Sequence, residues 1–224
     1  MSGQGSPGVS QSLPSSGLTG PTTIRPLRWA DERLAAHVLA GAFVNDPLVM
    51  AICQGGAADR VRRMWWNFRI AVRSHCQTGQ PAWGVIDASG QLRAVVLVIL
   101  PGARVVLGTD LLFALRGLIG VGFSAARRGV LAANTIAAHE PAEPFTYLRT
   151  IGVDPQWQRR GVGSALVGQV VQSAALRLPI YLETSKAVNL PFYTRHGFTC
   201  CGEFRCLGVP VWRMMRRPAA ESAL

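Results

Sequence analysis

The sequence predicts an α/β fold: a mixed central sheet with helices on both faces. Three observations lead there. The chain has 224 residues, which suits one domain plus a tail or a large insert, and 49% of them are hydrophobic, enough for a substantial core. Strand-like and helix-like segments alternate in the order β-α-α-β-β-α-α-β-α-β-α-β-β, with no internal repeat. Tight-turn signals join some strands directly, while helical segments separate others.

Each element has its own warrant. The opening MSGQGSPGVSQSLPSSGLTGPTT is rich in Ser, Gly and Pro and cannot bury enough apolar surface to fold. Residues 1–22 are therefore expected to form a disordered tail, and with no charged n-region or apolar h-region the segment does not read as a signal peptide. Thr23–Arg28 reads as a short strand with alternating faces. From Ala30 to Phe43, Leu34, Val38, Leu39 and Ala42 recur at helical spacing until Asn45-Asp46-Pro47 stops the run. Ala58–Cys76 places Val61, Met64, Trp65, Phe68 and Val72 on one helical face. Ala82–Asp87 and Leu92–Leu100 flank Ala88-Ser89-Gly90, a hairpin signal, and Pro101-Gly102 ends the second strand. Arg104–Ala138 reads as two helices with a Gly-rich junction. Strands follow at Phe145–Val153 and Ile180–Thr184, with a helix over Gly161–Leu178 between them. A short helix over Asn189–His196 ends at Gly197, a residue suited to the left-handed stop. Phe198–Arg205 and Val211–Met215 complete the strands of a domain spanning 23–216, and 217–224 reads as a C-terminal tail.

Charge and cysteine content narrow the function. The formal net charge is +11, carried almost wholly by arginine, since Lys186 is the only lysine. Such a balance fits a well-solvated basic surface, a phosphate-bearing ligand or a nucleic acid. The arginines are scattered and not gathered in one arm, so no nucleic-acid partner is expected. The apolar stretch Leu111–Ala126 is interrupted by Arg116 and is too short for a span, so no membrane partner is expected either. Cys53, Cys76, Cys200, Cys201 and Cys206 are odd in number and contain no CxxC, which reads as reduced thiols in a cytoplasmic protein. The histidines His37, His75, His139 and His196 show no ligand spacing to them, so no metal site is expected.

The chemistry concentrates in IGVDPQWQRRGVGSALV, from Ile151 to Val167. A helix N-terminus presents unpaired N–H groups and the positive end of the dipole. Glycines let a ligand approach that backbone closely, and Arg159 and Arg160 add charge-assisted donors. Together these make an anion site for a phosphate or pyrophosphate, although the same Gly-Val-Gly can also be a plain turn. No Lys-Ser/Thr follows, and the residue three after Gly163 is Leu166, so neither a P-loop nor a dinucleotide fingerprint is complete.

Gln158-Arg159-Arg160-Gly161-Val162-Gly163 resembles the Q/R-x-x-G-x-G/A signature of the GNAT superfamily of N-acetyltransferases. YLETSKAVNLPFYTRHGF, Tyr181–Phe198, resembles that family's later strand–helix segment, and IRPLRWADERLAAHVLAGAFVNDP resembles its opening strand and helix. The likeness covers about Thr22 to Arg216. Within the family, the IGVxPxxQxxGxG and LETSxxxNxxFYxxxGF patterns are similar to the puromycin N-acetyltransferase-like subgroup.

The resemblance implies a GNAT-like sheet with splayed central strands and acetyl-CoA (coenzyme A) as cosubstrate. It implies that Ile151, Gly152 and Val153 line the pantetheine arm. It implies that Gln158, Arg159, Arg160, Gly161, Val162, Gly163 and Ser164 form the pyrophosphate loop, and that Asn189 and Tyr193 flank the thiol. The implied reaction is direct acetyl transfer to a primary amine, with Tyr193 supplying the leaving thiolate's proton and a backbone N–H near Ile151 serving the oxyanion.

Many family members carry a Glu or His on the splayed strand. Here those positions hold Tyr147 and Arg149, so the base is sought nearby, in Glu140 (slightly preferred) or Glu183. Either carboxylate can instead serve an arginine in a salt bridge, and Tyr193 can instead be a core aromatic. The apolar Arg104–Ala138 segment is expected to pack over the sheet and shape an acceptor pocket, or to present a homodimer surface. If that segment lines the pocket the acceptor has an apolar body, and the scarcity of acidic residues argues against a polycation. A protein or peptide amine, or an idle acyl-CoA-binding regulatory module, are the alternatives.

Overall fold

The computed structural model describes residues 11–12, 22–103, 111–173 and 178–218. Its centre is a mixed eight-stranded sheet in the order β1-β2-β3-β4-β5-β6-β8-β7. The strands are β1 (Gln11–Ser12), β2 (Thr23–Pro26), β3 (Ala82–Ile86), β4 (Leu92–Ile99), β5 (Thr146–Val153), β6 (Ile180–Thr184), β7 (Thr199–Cys206) and β8 (Val209–Arg216). The helices are α1 (Glu32–Phe43), α2 (Pro47–Cys53), α3 (Ala57–Thr78), α4 (Leu111–Val121), α5 (Phe123–Ala137), α6 (Val162–Gln172) and α7 (Leu190–Arg195). Every neighbouring pair is antiparallel except β5 and β6, which run parallel.

The expected mixed sheet with helices on both faces is therefore what the chain forms. Two cores divide it. On one face Leu166, Val167 and Val170 of α6 pack with Val96, Leu148, Ile180, Leu182 and Phe198. On the other, α1 and α3 bury Leu39, Met64, Phe68 and Val72 against Val95 and Leu97 of β4. β4 thus feeds both cores by period-two alternation and is buried on both sides. Met64, Phe68 and Val72 are the face that helical spacing picked out.

Two elements differ from the sequence reading. Asn45-Asp46-Pro47 does end α1, but it also begins α2. The Asp46 carboxylate accepts from the N–H groups of Leu48 and Val49, and Pro47 occupies the first helical turn. A stop for one helix is here the cap of the next. The helix expected to Leu178 breaks after Gln172, because Ser173 takes ψ 115°, outside the helical region, and 174–177 lie outside the described residues. As expected, α4 and α5 form a pair around Gly122, whose φ of 84° only glycine adopts readily, while 104–110 lie outside the described residues. Ala132 of α5 packs with Phe204, Cys206 and Val211, so α5 covers β7 and β8 at the sheet's far edge. Leu115, Leu118, Ile119 and Phe123 face solvent. No single helix among the described residues is long and apolar enough to cross a membrane.

Candidate active site

The site begins where β5 and β6 part. They pair only through Thr146↔Ile180 and Tyr147↔Tyr181. Beyond Tyr147, β5 stays paired with β4 on one side while its other edge leaves β6. The unpaired backbone of Ile151, Gly152 and Val153 lines a cavity of about 680 Å³. This is the splay implied by the resemblance.

Packing forces that edge close to α1. A Cβ on Gly152 would lie 2.7 Å from Leu39 Cδ2 and 3.1 Å from Ala42 Cβ, so only glycine lets the helix seat there. The loop after β5 is anchored before it reaches the cavity. Asp154 N donates to the carbonyl of Arg93 at 2.8 Å, and the Arg93 guanidinium bridges Asp87 at 2.7 Å and Asp154 at 3.1 Å. Asp154 Oδ1 also accepts from Gln156 N. Two residues at positive φ then turn the chain, Arg159 at 61° and Gly161 at 77°, and Gly161 caps α6. The space where a Gly161 side chain would stand holds no atom within 4 Å, so the α6 N-terminus opens directly onto the cavity.

Gln158, Arg159, Gly161, Gly163 and Ser164 line this cavity, as do Asn189 and Tyr193. Two expected residues do not. Arg160 lies over the Trp157 ring at 5.3 Å, and Val162 is buried in the α6 core. Only the backbone of Val162, in the first turn of α6, belongs to the loop. Sequence reasoning missed Lys186, Arg195 and Asp46, which also line the wall. Lys186 and Arg195 sit inside the second quoted motif, so position in that motif was the available signal. Asp46 offered none, because its place in the wall depends on a contact with Ser185, 139 residues along the chain.

The electrostatics suit a phosphate-bearing molecule. Arg159, Lys186 and Arg195 give three cations in one wall. The single carboxylate there, Asp46, is engaged by two backbone N–H groups and by the Ser185 hydroxyl, 2.8 Å from each of its oxygens. Unpaired strand backbone, an open helix N-terminus and a cationic wall are the parts a pantetheine-pyrophosphate ligand needs, so these residues fit acetyl-CoA.

Tyr193, on α7, is 6% exposed and packs edge-on against Phe192 and Phe198. Burial, and secondarily the Asp46 charge, push its hydroxyl above the ordinary phenol range, so it keeps its proton at neutral pH. Asn189 donates from Nδ2 to Thr184 Oγ1 at 3.1 Å. Across the splay, Tyr147 donates its hydroxyl proton to Glu183 Oε2 at 2.7 Å. Glu183 Oε1 is sealed from solvent and has no hydrogen-bond partner. Burial raises the Glu183 carboxyl to about 7, outweighing the Tyr147 and Tyr181 hydroxyls, which favour the charged form. Glu140, by contrast, is exposed in the loop after α5, with only a desolvation-driven rise. Tyr193 lines the cavity, Glu183 does not line it and lies buried on β6 against Tyr147, and Glu140 stays at the surface.

Residues 119–200 match the family model described as an acetyltransferase (GNAT) domain. Over that stretch, 82 of its 224 residues, the chain is similar to a GNAT acetyltransferase domain. It is an acyltransferase, of the N-acetyltransferase type. That span runs from α4 to the start of β7 and includes β5, the glycine turn and Tyr193. The fold is shared with solved structures. A Corynebacterium glutamicum protein described as histone acetyltransferase HPA2 and related acetyltransferase is 23% identical, covers 89% of this chain and 98% of its own, and gives a TM-score of 0.68. The polyamine N-acetyltransferase of Drosophila melanogaster, which catalyses formation of N-acetylagmatine, is 13% identical over 88% of this chain and 100% of its own, with a TM-score of 0.59. The ribosomal-protein-S18-alanine N-acetyltransferase of Escherichia coli is 17% identical over 91% and 99%, with a TM-score of 0.50. Those proteins share a fold and act on both small amines and a ribosomal protein.

Proposed function

We propose that this chain moves an acetyl group directly from acetyl-CoA to the primary amine of a small molecule, with Glu183 as base and Tyr193 as acid. The observation that carries the reading is the cavity itself: splayed β5 backbone, the open N-terminus of α6 and three cations converge on the buried Tyr193. When bound, acetyl-CoA supplies an acetyl thioester. Arg159, Lys186, Arg195 and the backbone of 161–164 would hold its phosphates, and Ile151–Val153 would offer their free edge to its arm. A backbone N–H near Ile151 would donate to the carbonyl oxygen. Glu183, with its carboxyl raised to about 7, is the group we assign to take the ammonium proton. Tyr193 holds a proton at Oη for the departing sulfur.

The match of the two motifs supports the puromycin N-acetyltransferase-like subgroup. The cysteines Cys53, Cys76, Cys200, Cys201 and Cys206 are all free, which supports a reducing, cytoplasmic setting. The exposed apolar residues of α4 and α5 support a homodimer.

Acetyl-CoA titration by calorimetry tests the site. Gly161→Asp and Gly163→Asp put a negative charge into the cavity and should abolish binding. Gly163→Ala should keep it, because the added methyl meets Phe192 and Val153 only at 3.6 Å. Tight binding by all four proteins, or by none, refutes the assignment. Tyr193→Phe separates an enzyme from an idle binding module: retained acetyl-CoA binding with at least about a hundredfold loss of turnover is expected of an acid.

A further inference from the structure

One buried polar group on β5 has no role in the transfer. The register of β5 on β4 passes from Leu97↔Thr150 to Val98↔Leu148, so Arg149 is an extra, bulged residue. Such bulges re-aim a side chain. The Arg149 guanidinium is largely desolvated, and its Nη1 is sealed from solvent without a hydrogen-bond partner. Among the described residues no carboxylate forms an ion pair with it. Its ionisable neighbours are neutral. The buried His75 imidazole is pushed down to about 4 by desolvation, and the Tyr147 phenol is held protonated by burial. A guanidinium held this way is costly unless an anion arrives to accept its protons. Arg149 lies two residues along β5 from Tyr147, the residue that holds Glu183.

We propose that Arg149 receives the carboxylate of the acceptor, so that the substrate is an amino acid-like zwitterion whose amine meets Glu183 while its carboxylate meets Arg149. The amine half rests on the transferase reading given above. The carboxylate half rests on Arg149 alone. A bidentate Arg–carboxylate contact also sets orientation, which a primary amine with an apolar body otherwise lacks.

Product-like probes test the carboxylate half without turnover. CoA-saturated protein is titrated with N-acetyl-L-leucine and with N-(3-methylbutyl)acetamide, the same molecule without its carboxylate. A second pair, 4-acetamidobutyrate and N-propylacetamide, samples a longer spacing. In at least one pair the acid should bind about ten- to a hundredfold more tightly than its neutral counterpart. Arg149→Met should erase the difference, Arg149→Lys should keep part of it, and the Tm of Arg149→Met should not fall below wild type, as it would if Arg149 were a structural tie. Equal affinity within both pairs, no binding of either acid by folded CoA-bound protein, or a preference that survives Arg149→Met overturns the proposal. CoA release with the parent amines is scored separately. Amines acetylated without an Arg149-dependent acid preference leave the transferase reading standing and sink this one. An Arg149-dependent acid preference without any acetylation leaves the anion site standing and sinks the transferase reading.

Discussion

Replacing Glu183 with Gln should remove activity and add stability at the same time. The carboxyl titrates at about 7 in the folded chain, against 4.5 when unfolded. Its folded form binds the proton more tightly, so its contribution to stability is fully present below 4.5 and is lost as pH rises through 7. Across that window the loss is roughly 3 kcal/mol, an upper value for a group that keeps some solvent access. Glu183→Gln keeps an oxygen for the Tyr147 hydroxyl and removes the buried charge. The variant should therefore unfold at higher urea than wild type at pH 8, by up to about 3 kcal/mol, with the gap closing to under about 1 kcal/mol at pH 5. Turnover should fall by about two to four orders of magnitude. Wild-type kcat/KM, in turn, should rise with pH around 7, gaining about tenfold between pH 6 and pH 8, because a base works only once its proton is lost. A structural carboxylate would behave oppositely: its loss would destabilise the fold and leave the pH profile in place. Equal or lower stability of Glu183→Gln at pH 8, with turnover retained, would refute the reasoning.

Three further outcomes follow from the packing and the site. Gly152→Ala drives a methyl into Leu39 and Ala42, at 2.7 and 3.1 Å, and should cost about 1–3 kcal/mol in urea unfolding while weakening acetyl-CoA binding by displacing β5. Asp46→Ala removes the α2 cap and strands the buried Ser185 hydroxyl, so about 1–3 kcal/mol of stability should be lost. Ser185→Ala combined with Asp46→Ala should cost less than the sum of the two single changes, since both act on one hydrogen bond.

How much was legible in the sequence depends on the range of the interaction. The α3 face of Met64, Phe68 and Val72 follows from 3.6-residue periodicity, and the hairpin at Ala88-Ser89-Gly90 from local turn chemistry, so both are read from a dozen residues at most. The glycine turn at 161–163 was visible for the same reason, because helix caps are local. Arg160 shows the limit: its charge is plain in the sequence, but which way it turns depends on Trp157, whose ring it covers. The same holds for the general base. Glu140 and Glu183 are equal as letters. What separates them is that β6 carries Glu183 beneath the Tyr147 hydroxyl across a parallel pair of strands 36 residues apart, while Glu140 is left in water. A pKa near 7 arises from burial, burial arises from strand pairing, and strand pairing is a long-range property. Arg149 was dismissed as a poor base on its chemistry, which is correct. Its significance lies in the missing counter-ion, and the absence of a partner only becomes visible when everything around a side chain has been placed.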